Sequence, residues 1–162
     1  MTTREFLVSK IDNGTVIDHI PSGQGLRVLN LLGLDLTKYE TAVALINIPS
    51  KKLGTKDILK IKNRELTSQE VNKIALIAQT STLTIIRSWE VVEKRKIEIP
   101  GVFSGVATCP NSNCVSNSPE PISTRFVVEK KRVLNSQDWS IKLRCHFCER
   151  AFTRDEITDF VI

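Results

Sequence analysis

The four cysteines of this sequence all fall in its last third, in two close pairs: Cys109 and Cys114 in CPNSNC, Cys145 and Cys148 in CHFCE. Nothing else in the chain constrains its fold as strongly. Two tight pairs, separated by a strand-bearing segment, can close four thiolates around one ion. Zinc favours that tetrahedral all-sulfur shell, and a shell with no open position is structural rather than catalytic. The competing readings are a disulfide pair and four unrelated buried thiols. A cytoplasmic setting argues against the first and the clustering against the second. Pro110 stiffens the first turn, and backbone amides after each leading cysteine can point at sulfur. His146 sits inside the second pair, but the cysteines already complete the shell, so it is expected at the surface. One structural zinc per chain is therefore expected on Cys109, Cys114, Cys145 and Cys148.

The segment around these cysteines shows no long helical period. RFVVEKKRV (125–133) and WSIKLRC (139–145) read as strands, and in the second Trp139, Ile141 and Leu143 alternate with Ser140, Lys142 and Arg144. A domain of about 60 residues with so few core positions is marginal without a staple. IPGVFSG (99–105), with Pro100, Gly101 and Gly105, reads as a junction. Two domains are predicted, 1–100 and 101–162, the second a small all-β zinc-ribbon-like unit.

The first hundred residues have another texture. REFLVSKI (4–11) and TVIDHI (15–20) read as strands, and SGQGLRVLNLLG (22–33) as a helix with Ser22 as N-cap and Gly33 as its left-handed stop. TAVALINI (41–48) is nearly continuous in apolar residues, as in a strand covered on both faces. LGTKDILKI (53–61) follows as a strand. LTSQEVNKIALIAQ (66–79) is the clearest helix, with Thr67 and Glu70 at capping-box spacing and Val71, Ile74, Ala75 and Ala78 on one face. TLTIIR (82–87) and WEVVEKRKI (89–97) close the region as strands. The expected fold is α+β: an N-terminal antiparallel sheet with two helices on one face, ferredoxin-like, followed by the zinc-ribbon-like domain.

Charge and motifs narrow the function. The 162 residues carry a net charge of +5, which favours anionic partners. No apolar run approaches the roughly 20 residues of a membrane span. MTTREFLVSK has no apolar core behind a basic tip, so it does not read as a signal peptide, and a cytoplasmic protein without membrane contact is expected. Lys51, Lys52, Lys56, Lys60, Lys62 and Arg64, then Lys94, Arg95 and Lys96, are either solvated strand edges or an anion site. Asp18 could accept a hydrogen bond from a ribose hydroxyl, with His19 beside it. Neighbours on a strand point to opposite faces, so both serve one ligand only where the strand ends or twists. No glycine-rich phosphate loop is present, and no nucleophile–base arrangement is evident, so no catalytic residues are assigned.

GTVIDHIP at 14–21, NIPS at 47–50, GTKDILKI at 54–61, EVV followed by Lys94, CPNSNC at 109–114 and CHFCE at 145–149 are each modest signals. In this order and spacing the sequence resembles, nearly end to end, the regulatory chains of aspartate carbamoyltransferase, the first committed enzyme of pyrimidine synthesis in many prokaryotes. The resemblance implies a noncatalytic, allosteric subunit of a hetero-oligomer. Its first domain would bind the effectors CTP and ATP, with UTP in some members. Its second would hold structural zinc and dock on the catalytic chain, and regulatory-chain homodimers would bridge catalytic trimers. Carried over by the resemblance, Asp18 and His19 lie near ribose and phosphate, Lys60 near base and ribose, and Lys94 toward the triphosphate. Val8, Ile11, Val16, Ile86 and Val91 would wall the base pocket, with Trp89 where the family often has tyrosine. Ser9 and Lys10 replace an acidic–small pair beside the pocket, and Thr84 replaces an amide residue that can contact the base. These departures leave the preference between CTP and ATP open. The competing functions are a zinc-ribbon nucleic-acid-binding protein, for which no interleaved stacking platform is evident, and a zinc enzyme, which four thiolates would deny an open position.

Overall fold

The computed structural model describes residues 9–34, 37, 41–120, 122–134 and 139–162. Val8 and most of the strand expected at 4–11 lie outside them. The fold is α+β: an antiparallel sheet and two helices, then a second small all-β sheet carrying the four cysteines. By contacts the chain divides into unit 1, residues 1–67 and 80–97, and unit 2, residues 68–79 and 98–162.

Unit 1 is built on a five-stranded sheet of β1 (Gly14–Pro21), β2 (Ala42–Ser50), β3 (Gly54–Lys62), β4 (Thr82–Arg87) and β5 (Glu90–Lys96), in the order β2-β3-β1-β4-β5. Every pairing is antiparallel. The first four strands have the ferredoxin-like order, and β5 extends it as a hairpin. Period-2 alternation gives the sheet two unlike faces. Thr15 and Ile17 of β1, Asp57, Leu59 and Ile61 of β3, and Leu83 and Ile85 of β4 are buried on one side. Their alternates, among them Val16, Ile58, Lys60, Thr82 and Thr84, are only half-buried on the other.

Helix α1 (Gly25–Leu31) contributes the buried Val28 and is followed by the buried Leu32. Its N-cap is Gln24, with no side-chain cap bond, so the expected role of Ser22 does not hold. Asp57 accepts instead, its Oδ2 taking the Gly25 N–H at 2.8 Å, while Ser22 Oγ bonds Asn47 Oδ1 at 2.8 Å. Gly33 does end the helix with φ +54. β2 also differs from expectation. It is an edge strand, not one covered on both faces, and its apolar residues are mostly half-buried, with Ile46 exposed.

Unit 2 contains a four-stranded antiparallel sheet, β6 (Val102–Ser104), β7 (Arg125–Arg132), β8 (Trp139–Cys145) and β9 (Ala151–Thr153), in that order. The stretch read as a junction thus contains a strand, whose Phe103 is fully buried. Helix α3 (Arg154–Thr158) closes the chain with a full capping box between Thr153 and Glu156. Helix α2 (Ser68–Ile77) lies in the sequence between β3 and β4, yet it falls within unit 2. Its Leu76 belongs to the core cluster of Phe103, Val106, Phe126, Leu143 and Ile157.

Candidate metal centre and open-face cleft

Four loops and strand ends of unit 2 bring the thiols together. Cys109 follows β6, Cys114 precedes a single 3-10 turn (Val115–Asn117), Cys145 ends β8 and Cys148 lies in the turn toward β9. Their sulfurs all lie within 4.8 Å of one another. Cys109 and Cys148 are 3.7 Å apart at sulfur, Cys114 and Cys145 3.8 Å. A disulfide would need about 2.05 Å. A tetrahedral shell with metal–sulfur bonds of about 2.3 Å has sulfur–sulfur edges of roughly 3.8 Å. The donors therefore fit a single soft ion.

Burial and nearby N–H groups act in opposite directions on these thiols. Burial, above all, pushes the thiols of Cys109 and Cys145 up. The Asn111 N–H opposes this at Cys109, and the Cys148 and Phe147 N–H groups oppose it at Cys145. Burial would raise Cys148 too, but hydrogen bonds from the Arg150 N–H, the Asn111 side chain and the neighbouring thiols bring it down to about 7. A divalent cation offsets the remaining cost, since thiols that coordinate one are deprotonated. The buried Ser116 hydroxyl stands 3.2 Å from Cys114 sulfur. Asn117 Nδ2 ties the first loop by donating to the carbonyls of Cys109 at 2.8 Å and Asn111 at 3.0 Å. His146 is exposed, outside the shell, edge-on to Phe147.

In unit 1 a cleft of about 360 Å3 opens on the half-buried face of the sheet. Its wall includes Lys10, Ile11, Val16, Asp18, His19, Lys60, Thr84, Ile86, Trp89, Val91 and Lys94. These are all the predicted effector residues except Val8, which lies outside the described residues. Ile58 and Thr82 line it as well. Both were missed, although each sits two residues from a chosen position on the same strand face, beside Lys60 and Thr84.

Adjacent Asp18 and His19 share the cleft because β1 bulges there. The β1–β3 register shifts between Ile17 and Ile20, and His19 has φ +57. In a regular strand His19 would follow Thr15 and Ile17 to the covered face. The extra residue keeps it beside Asp18 and returns Ile20 to the core. Asp18 Oδ1 accepts from Lys56 Nζ at 2.8 Å. His19 Nδ1 is buried without a hydrogen bond among the described residues, and Asp18 Oδ2, at 3.6 Å, is beyond hydrogen-bond reach. The lining of the cleft is cationic at Lys10, Lys60 and Lys94 and apolar at Ile11, Val16, Ile86 and Val91. Such a lining suits a flat apolar group that carries anionic charge.

Trp89 occupies an unusual turn. Ser88 and Trp89 connect β4 to β5 with φ +50 and +69, a hairpin geometry that ordinarily takes Asn-Gly. The turn is held by the Trp89 N–H to the Asp12 carbonyl at 2.8 Å and the Ser88 N–H to Asn13 Oδ1 at 3.0 Å. The indole is left 67% exposed on the cleft wall.

Two family models match the chain. The regulatory-chain allosteric domain of aspartate carbamoyltransferase covers residues 6–98, and the metal binding domain of the same chain covers 101–158. Among curated relatives, the aspartate carbamoyltransferase regulatory chain of Pyrococcus horikoshii is 48% identical over 94% of this chain and 96% of its own length. That of Ignicoccus hospitalis is 46% identical over 98% of both. That of Thermofilum pendens is 48% identical over 96% of this chain and 94% of its own.

Proposed function

The chain belongs to the family of aspartate carbamoyltransferase regulatory chains, and we propose that it binds nucleoside triphosphate effectors in the unit 1 cleft and carries their effect to a catalytic chain. The observation that carries this reading is the meeting of Asp18, His19, Lys60 and Lys94 with an apolar wall in one cleft. CTP and ATP are the expected effectors, with UTP a third candidate. Base and ribose lie toward Trp89 and Lys60, and the phosphates toward Lys94 and His19. The chain is the regulatory partner and contributes no catalytic residues.

The ion at Cys109, Cys114, Cys145 and Cys148 is zinc, one per chain, and its role is structural. Support comes from the sulfur–sulfur edges and from the closed four-thiolate shell. The residues 1–100 act as the effector domain, and 101–162 as the zinc domain that docks on the catalytic chain. The half-exposed apolar edge strand β2 is in keeping with a regulatory-chain homodimer. The thiolates go with a cytoplasmic location, where they stay reduced. No helix among the described residues is long and apolar enough to cross a membrane. A polymer-binding zinc ribbon is not favoured, given the family.

Affinity purification from the source cells tests the reading. An aspartate carbamoyltransferase catalytic chain should co-purify, and the complex should change its velocity against aspartate when CTP or ATP is added. A chain that purifies without such a partner, or a complex indifferent to nucleotides, would refute it.

A further inference from the structure

We infer that Asp57, buried on the face of the sheet opposite the cleft, is a positioning residue that holds Asp18 and His19 in place for the effector. The inference rests on the proposed nucleotide site and goes beyond it. Asp57 is fully buried, at 0% exposure. Its Oδ2 accepts from the Gly23 N–H at 2.9 Å and the Gly25 N–H at 2.8 Å, and its Oδ1 from the Asn47 N–H at 2.8 Å. One carboxylate thus ties the turn after β1 and a bulge in β2 to the strand between them. That second bulge, between Leu45 and Ile48 opposite β3, also carries a left-handed residue, Asn47 at φ +57.

The cleft depends on this because the β1 bulge is weakly anchored downstream. Beyond His19 only two residue pairs remain in the β1–β3 ladder, Ile20 with Asp57 and Pro21 with Lys56. Proline has no N–H to give the ladder. A slip of one residue would send His19 to the covered face and Ile20 into the cleft, since a strand's side chains alternate strictly. The bonds from Gly23 and Gly25 to Asp57 pin the chain just past the bulge and oppose that slip. Gly25 is matched to this contact: a Cβ there would meet Asp57 Cβ at 2.9 Å and Ile46 Cδ1 at 2.9 Å.

The test uses the full metal-loaded chain and the variant Asp57→Asn, which keeps shape but turns one acceptor into a donor facing N–H groups. The chain has two histidines, so a His146→Asn reference assigns the imidazole signals of His19 by NMR. Expected results are a displaced His19 signal and at least a tenfold loss of CTP affinity by calorimetry. A folded variant with the wild-type His19 signal, or with undiminished CTP affinity, overturns the inference. If Asp57→Asn does not fold, Gly25→Ala, which crowds the carboxylate without changing its charge, is judged by the same criteria. If the wild-type chain fails to bind CTP, the effector reading falls, and the His19 signal alone decides the role of Asp57.

Discussion

Lys60 and Lys94 stand in one cross-strand row of the sheet, with Val16 and Thr84 between them. Lys60 pairs with Val16, Val16 with Thr84, and Thr84 with Lys94. Three interstrand steps of about 4.8 Å separate the two backbones by roughly 14 Å. An extended nucleotide can span this row and present a different group to each ammonium. Lys94→Ala should therefore weaken CTP about ten- to hundredfold, the worth of a charge-assisted hydrogen bond of roughly 1.5–3 kcal/mol. Cytidine should lose far less. Calorimetry with the two ligands decides it, and equal losses would remove Lys94 from the phosphate end.

The Ser88–Trp89 turn predicts a trade between stability and binding. Left-handed backbone costs an L-residue about 1–2 kcal/mol. The double replacement Ser88→Asn, Trp89→Gly supplies the residues this hairpin turn prefers. Urea unfolding should show unit 1 stabilised by roughly 1 kcal/mol, while CTP and cytidine both bind more weakly for want of the indole. Unchanged nucleotide affinity would show that Trp89 does not touch the base.

Metal loss should act on α2 as well as on the residues after 98. Structural zinc couples binding to folding, and α2 falls within the zinc-bearing unit. In Cys114→Ser, hydrogen exchange should lose protection at Ile74–Ile77 together with β7 and β8, while β1, β3 and β4 keep theirs. Protection of α2 that survives metal loss would separate the helix from that unit.

Displacing the metal should also divide binding from regulation. After a mercurial removes zinc from the holoenzyme, unit 1 should still bind CTP, but catalytic velocity against aspartate should no longer respond to CTP or ATP. Allostery requires an effector to favour one state of the whole assembly, not merely to bind. A nucleotide response that outlived complete zinc removal would take the coupling role away from the metal domain.

What the sequence made legible, and what it hid, follows from the range of the interactions involved. The two cysteine pairs could be read directly, because ligand spacing is local chemistry. So could β3, where Asp57, Leu59 and Ile61 alternate with Ile58, Lys60 and Lys62. The bulge at His19 could not, since the carboxylate that secures the chain beyond it belongs to another strand. For the same reason the local pattern points to Ser22 as the helix cap and cannot reveal that Asp57 supplies the acceptor. The continuous apolar run of β2 predicted cover on both faces, but hydrophobicity does not say where in a sheet a strand falls. The periodicity of α2 marked which side would be buried and was silent about which core receives it.

The placement of α2 also limits how this protein can be taken apart. A segment cut at the boundary between the two family models, near residue 100, carries all four thiolates but leaves Leu76 behind. A transplanted metal module of that kind lacks one side chain of the cluster around Phe103 and Phe126, a deficit comparable to a buried leucine truncation of about 2–5 kcal/mol. The compact units are interleaved along the chain, so a chimera cut at the family boundary divides one of them.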